Sequence, residues 1–170
     1  QSPHDIKEHL KEVLNIPAEI DVVTPDIGGG FGQKHNLYPE DAAVAYLAYK
    51  LRRPVRWIER RGENIHALHA RGVEAHLDVA VGRTGRILGI KGRFIVDLGA
   101  FWLGGTFTSP DNTFKRVTGP YDITAYEAEL FGVVTNRPPM GAYRGAGQPE
   151  ATYCMERMMD LVARELGLDP

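Results

Sequence analysis

The run Gly28-Gly29-Gly30-Phe31-Gly32 strips the chain of nearly all side chains at one point and leaves a lone aromatic among the glycines. Glycine loses more conformational freedom on folding than any other residue, roughly 0.5–1 kcal/mol relative to alanine in regular structure. Such a cluster belongs where backbone must turn sharply or touch a ligand. Whatever the fold, it has to be arranged around this break, with an apolar run ending at residue 24 before it and a helical pattern opening at Pro39 after it.

On the near side, Ser2-Pro3 followed by Ile6, Leu10, Val13 and Leu14 reads as a helix, with Ser2 as its cap and Pro3 at its first position. Pro17 stops it, and residues 19–24 read as a buried strand. On the far side, residues 39–51 form a Pro-started helix with apolar residues on nearly every face, a pattern that predicts enclosure by protein. Residues 54–59 read as another short strand. From Val73 the period changes to two: Val73, Ala75, Leu77, Val79 and Val81 alternate with Glu74, His76 and Asp78, a strand with one wet face. The turn at 82–85 and the run Ile87 to Leu98 complete a hairpin. Residues 99–122 read as irregular, 126–135 as a strand, 136–148 as a loop and 149–167 as a helix. The stripe of that helix is Ala151, Cys154, Met155, Met158, Leu161 and Val162. The class is α+β, mixed sheets with packed helices.

A chain of 170 residues is long enough for one good core or two small ones, and a subdivision near residues 60–70 is one way to divide it. The net charge of −2, with basic and acidic residues interspersed, gives no electrostatic case for nucleic acid or an anionic membrane. No stretch approaches the roughly 20 apolar residues of a membrane span, and no signal peptide is present. The single cysteine, Cys154, excludes an internal disulfide and a thiolate metal cluster and fits a reducing, cytoplasmic setting. A start at Gln1 and an end just past a helix suggest a piece cut from a longer protein.

Two familiar glycine loops fit the first cluster poorly. A dinucleotide-binding turn needs G-x-G-x-x-G opening directly into a helix, but position 33 is Gln and the helix waits until Pro39. A phosphate-binding P-loop needs Ser or Thr after its lysine, and Lys34 is followed by His35. A tight connection remains, or a loop whose free amides wrap an anion or an oxo group. The segment 138–150 repeats the character: glycines at 141, 145 and 147 surround Arg144 ahead of a helix. It reads as a long structured turn or as positive potential offered to an anionic ligand.

As a pair, Gly28-Gly29-Gly30-Phe31-Gly32 and Ala142-Tyr143-Arg144-Gly145-Ala146-Gly147 resemble the molybdenum hydroxylases, which include xanthine dehydrogenases, aldehyde oxidoreductases and large subunits of aerobic carbon monoxide dehydrogenases. The run-in from Gln1 to Lys34 resembles theirs as well. The resemblance covers essentially the whole chain but only a middle slice of that large subunit. It implies molybdopterin, in its cytosine dinucleotide form, carrying molybdenum. It also implies FAD and 2Fe-2S clusters on partner subunits or domains, and an oxidoreductase that hydroxylates a small molecule with oxygen from water.

By position, Gln1 falls where the family has a glutamine whose amide bonds a ligand oxygen on molybdenum. Gly30, Phe31 and Gly32 match backbone that approaches the metal's ligands, and Arg144, Gly145 and Ala146 match the second cofactor loop. The family's catalytic glutamate lies downstream, so the resemblance assigns no catalytic base here, no protein ligand to the metal, and no activity to these residues alone. Copper-containing carbon monoxide dehydrogenases have a cysteine where Gly145 stands, so carbon monoxide chemistry is not implied. Xanthine-type members have glutamate and an aromatic where His35 and Ala146 stand; these two substrate-pocket positions point to an aldehyde or N-heterocycle instead.

A non-catalytic scaffold of the same fold and, more distantly, an NAD-binding dehydrogenase are the competing readings. His66 and His69 lack a third ligand in register and read as solvated or packing residues. Asp21, Asp26, Glu40 and Asp41 read as caps and surface charges, Trp57 and Trp102 as core, and residues 59–64 as a solvated turn or short helix.

Overall fold

The two-residue alternation from Val73 produces a strand as expected. In the computed structural model, which describes residues 1–170, it pairs antiparallel with the run from Ile87. These are β1 (Val73–Val81) and β2 (Ile87–Gly99). A third strand, β3 (Tyr126–Val134), lies on the other side of β2 and runs parallel to it, so the sheet is mixed, in the order β1-β2-β3. The helices are α1 (Pro3–Leu14), α2 (Pro39–Leu51), α3 (Arg61–Ala67), α4 (Thr108–Arg116) and α5 (Gln148–Leu166), with one tight turn of 3-10 helix at Gln33–His35. The class is α+β.

Helix α5 lays Met155 and Met158 on Ile87 and Ile90 of β2, with Leu77, Val79 and Tyr126 at the margin. Val96, Leu98 and Met140 form a second cluster farther along β2. Between them Phe94 is fully buried and meets Phe114 of α4 edge-on, with ring centres 6.2 Å apart. Full burial of side chains of this size contributes about 1.5–3 kcal/mol each. Helices α4 and α5 meet through backbone: Gly147 has φ 92° and leaves no room for a Cβ against the Ser109 carbonyl. The Thr113 hydroxyl lies 2.9 Å from that same carbonyl oxygen and 3.1 Å from the Gly147 carbonyl.

Several expectations fail, each for a physical reason. Residues 19–24 and 54–59 form no strand, because the sheet contains only β1, β2 and β3 and offers them no ladder. The irregular reading of 99–122 misses α4. The buried face of that helix is Ser109, Pro110 and Thr113, which carry no apolar periodicity. Trp57 and Trp102 are 42% and 59% exposed, outside the core. Helix α2 is not enclosed: it has no buried residue, its main partner is α1, and Tyr46, Leu47, Tyr49 and Leu51 face outward. In α5, Leu161 is exposed and Ala163 is buried, while Cys154 is half-buried. Ser2 does not cap α1. Its φ of 56° departs from the extended geometry of a capping residue, and its hydroxyl pairs with His35 instead.

Candidate functional site

Two backbone loops meet at one point. Residues 28–32 lie outside every helix and strand, and none of their amides donates a hydrogen bond within the chain. Phe31 has φ 50° and is 54% exposed. Positive φ is a true outlier for a bulky residue, and holding it there costs about 1–3 kcal/mol. Gly32 follows with φ 97°, and the Ala142 carbonyl oxygen occupies the space a Cβ on Gly32 would need. Only glycine permits both that backbone angle and that approach of the second loop. At Gly30 the corresponding space is taken by the Gln1 side-chain carboxamide. Gln1 and Gly30, predicted to share a site, are therefore in contact.

The second loop has the same chemistry. The amides of residues 142–145 also donate no hydrogen bond within the chain, and Ala146 has φ 42°. Its other polar groups are occupied. The Ala146 carbonyl accepts from the Asn112 side-chain amide at 2.9 Å, and the Arg144 carbonyl accepts from the Arg71 guanidinium at 3.2 Å. That guanidinium also lies 5.0 Å from the centre of the Tyr143 ring. The Arg144 guanidinium has no partner in any hydrogen bond or ion pair of the chain. Free amides and an unpaired arginine are donors that lack acceptors, which is the complement of an anionic or oxo-bearing ligand.

Buried polar contacts hold the second loop from behind. His69 pairs with Met140 in an isolated parallel bridge, and its Nδ1 lies 2.6 Å from the Pro138 carbonyl. Asp97, at the end of β2, accepts from the Thr135 hydroxyl at 2.6 Å and the Gly99 amide at 2.9 Å, and pairs with Arg137 at 3.3 Å. Burial opposes ionisation of Asp97. The hydrogen bonds from Thr135 and Gly99 and the charges of His69 and Arg137 outweigh it and hold the carboxyl below its ordinary value. Behind the first loop, burial pushes the Tyr38 phenol up to about 12, so it remains a donor, and it donates to the Gln33 carbonyl at 2.9 Å. Burial likewise raises the Cys154 thiol, which suits packing and not attack.

The two predicted substrate-pocket positions line no common hollow. His35 Nδ1 lies 2.6 Å from the Ser2 hydroxyl, and His35 lines a hollow with His9 and Trp102 whose walls do not include Ala146. Beside the first loop opens a cleft of about 520 Å³, walled by residues 28–31, Lys34, Arg60, Arg61 and Tyr143. Sequence reading passed over Arg60 and Arg61, because Glu59 and Glu63 flank them along the chain, and Lys34 joins them only in the fold. Glu59 also lines the cleft, where it accepts from the Asn64 side chain at 2.8 Å, and Glu63 accepts from the Arg60 amide at 2.7 Å. No His, Cys, Asp or Glu cluster capable of holding a metal ion forms anywhere in the chain. No helix is long and apolar enough to cross a membrane.

The family model described as a molybdopterin cofactor-binding domain matches residues 1–170. The chain is 37% identical over 167 residues to the 6-hydroxypseudooxynicotine dehydrogenase complex subunit gamma of Paenarthrobacter nicotinovorans, covering 97% of this chain and 21% of that protein. It is 37% identical over 175 residues to the carbon monoxide dehydrogenase large chain of Hydrogenophaga pseudoflava, covering 99% and 22%. The crystal structure of quinoline 2-oxidoreductase from Pseudomonas putida 86 superposes with a TM-score of 0.91 at 37% identity, covering 99% of this chain and 22% of that one. The chain thus spans about one-fifth of the length of these three relatives.

Proposed function

Because this chain belongs to the molybdopterin cofactor-binding domain family, we propose that its two glycine loops are the cofactor grip of a molybdenum-dependent oxidoreductase. The observation that carries this reading is the contact of Gly32 with Ala142, which sets two runs of unpaired amides side by side. The fit to the cofactor is good. Molybdopterin carries phosphate and presents oxygen and sulfur ligands around its metal, and these loops offer donors without competing acceptors. Gln1 would hold a ligand oxygen through its carboxamide, braced by Gly30. Phe31 and Gly32 would bring backbone against the metal's ligands, and Arg144, Gly145 and Ala146 would close the opposite side. When bound, the cofactor supplies two-electron oxidation coupled to insertion of oxygen taken from water.

This chain's own residues bind and orient. The positive φ at Ala146 fixes the amide directions of the second loop before the ligand arrives, so little ordering of that loop is left to be done on binding. No residue here is assigned the catalytic base, and the chain alone is expected to be inactive. An N-heterocyclic substrate is favoured over carbon monoxide. Relatives named for a nicotine derivative and for quinoline match almost the whole chain at 37% identity, as does a carbon monoxide dehydrogenase large chain, so the choice rests on Gly145, which supplies no thiol for a second metal. Aldehydes remain the second substrate class. Electrons would leave through FAD and iron–sulfur partners, in keeping with a relative named as one subunit of a complex.

The test is the metal and pterin content of the parent protein purified with and without Gly32→Ala. The parent should carry close to one molybdenum and one pterin per polypeptide. The variant, which forces the loops apart, should retain less than one-tenth of that with unchanged circular dichroism. A parent protein made in molybdate-replete cells without either component would end the reading.

A further inference from the structure

The chain runs twice through one order of elements. Helix α1, the apolar segment 19–24, the loop at 28–32 and helix α2 make the first pass; α4, β3, the loop at 141–147 and α5 make the second. The backbone repeats in detail. Phe31 at φ 50° is followed by Gly32 at 97°, and Ala146 at 42° is followed by Gly147 at 92°. Each closing helix has proline in its first turn, Pro39 in α2 and Pro149 in α5. Within each pass the two helices touch, α1 with α2 and α4 with α5. The passes differ in one respect. In the second, β3 lies parallel to β2, the later strand of the hairpin that precedes α4. Parallel neighbours need a crossover, and α4 lies in that crossover. Segment 19–24 has the matching crossover helix, α1, but no strand of this chain ahead of it. None of its backbone N–H or C=O groups takes part in a hydrogen bond of the chain, and Val23 is 87% exposed. Unpaired backbone beside apolar side chains is a template for an added strand.

We infer that residues 19–24 are a docking edge for a β-hairpin made by the polypeptide immediately ahead of Gln1 in the parent protein, with the later strand of that hairpin parallel to 19–24. The relatives, of which this chain spans about one-fifth, have the length to supply it. The repeat selects the occupant. A strand joined to 19–24 through α1 and parallel to it ends just before α1, as β2 ends at Gly99 ahead of α4. Polypeptide beyond residue 170, or a second copy, has no such connection. The hairpin holds the first glycine loop from behind, as β2 and β3 hold the second. It does so whether or not the loops grip a cofactor.

The test is made on the full-length parent protein by two measurements. Hydrogen exchange followed by mass spectrometry needs no variant. Amides of residues 19–24 should exchange about a hundredfold slower than unpaired peptide, as those of a paired strand do. The second measurement places a diazirine-bearing amino acid at position 23, activates it with light and maps the product by mass spectrometry. Its cross-link should fall in the peptide ahead of Gln1, because directly opposed side chains of neighbouring strands lie about 5 Å apart. Circular dichroism reports whether the labelled protein keeps its fold. Exchange at the rate of unpaired peptide in the unmodified protein overturns the inference by itself. A cross-link to polypeptide after Pro170, to residue 23 of a second copy or to another subunit overturns it as well. Molybdenum and pterin content, measured separately, reports on the grip and not on this edge.

Discussion

Residues 1–67 and residues 68–170 are built on different terms. The second stretch contains the whole sheet, both apolar clusters and every fully buried side chain. In the first, only Leu10 and Asn36 are buried, although it includes three helices and many apolar residues. The candidate site takes one loop from each. The second loop is fastened by His69, Asp97, Thr135 and Asn112, whereas the first rests on Gln1, Tyr38 and its contact with Ala142. The comparison teaches that the site is asymmetric: a rigid jaw carried by a sheet, and a jaw whose geometry depends on what closes upon it.

The largest test of this contrast is truncation of one buried side chain in each stretch. Phe94→Ala empties a site with no exposure at all and should destabilise the protein by about 3–5 kcal/mol in chemical denaturation. Leu10→Ala removes a side chain that is 7% exposed on a helix with few neighbours, and its loss should fall at or below the lower end of the range of about 2–5 kcal/mol for leucine. Equal losses at the two positions would break the contrast.

A smaller effect, confined to the rigid jaw, comes from acid. The Asp97 carboxyl is held below its ordinary value of 3.8, so its contribution to stability is fully present above about pH 4. It is lost as the pH falls through the lower, folded-state value, where the carboxyl takes up a proton and releases Arg137. Asp97→Asn lacks that pair at every pH. Its deficit against the parent should therefore be largest near neutrality and shrink below about pH 4, as read from denaturation midpoints across pH. A constant deficit would mean that Asp97 acts through shape alone.

The hairpin, the C-terminal helix and both glycine loops were legible because their signals are local. Alternation at Val73–Val81 and the Met155, Met158 stripe report burial directly, and glycines beside Phe31 and Arg144 report a backbone demand. The parallel pairing of β2 with β3 was not legible, since it joins residues about 36 apart through a crossover that no local period encodes. Helix α4 hides for a different reason, its buried face being hydroxyls and proline. Residues 19–24 and 54–59 were misread because an apolar run announces a surface that wants covering, not a partner strand. The basic wall of the cleft escaped because Lys34 is distant in sequence from Arg60 and Arg61 and only the fold brings the three together.

The smallest expected effect lies in the first stretch. Lys7 of α1 donates to Asp21 at 2.8 Å, joining the helix to the irregular segment behind it. The hydrogen bond from Lys7 and its charge hold the Asp21 carboxyl below its ordinary value, but Asp21 is 75% exposed. Water and salt screen such a pair, and it does little for global stability. Lys7→Gln should leave the denaturation midpoint of the protein unchanged while speeding amide exchange in residues 19–24. If the first stretch is instead locked to the sheet as one cooperative unit, the same variant will shift global stability and leave local exchange alone. That outcome would remove the asymmetry between the jaws, because a loop that melts only with the core needs no ligand to set its geometry.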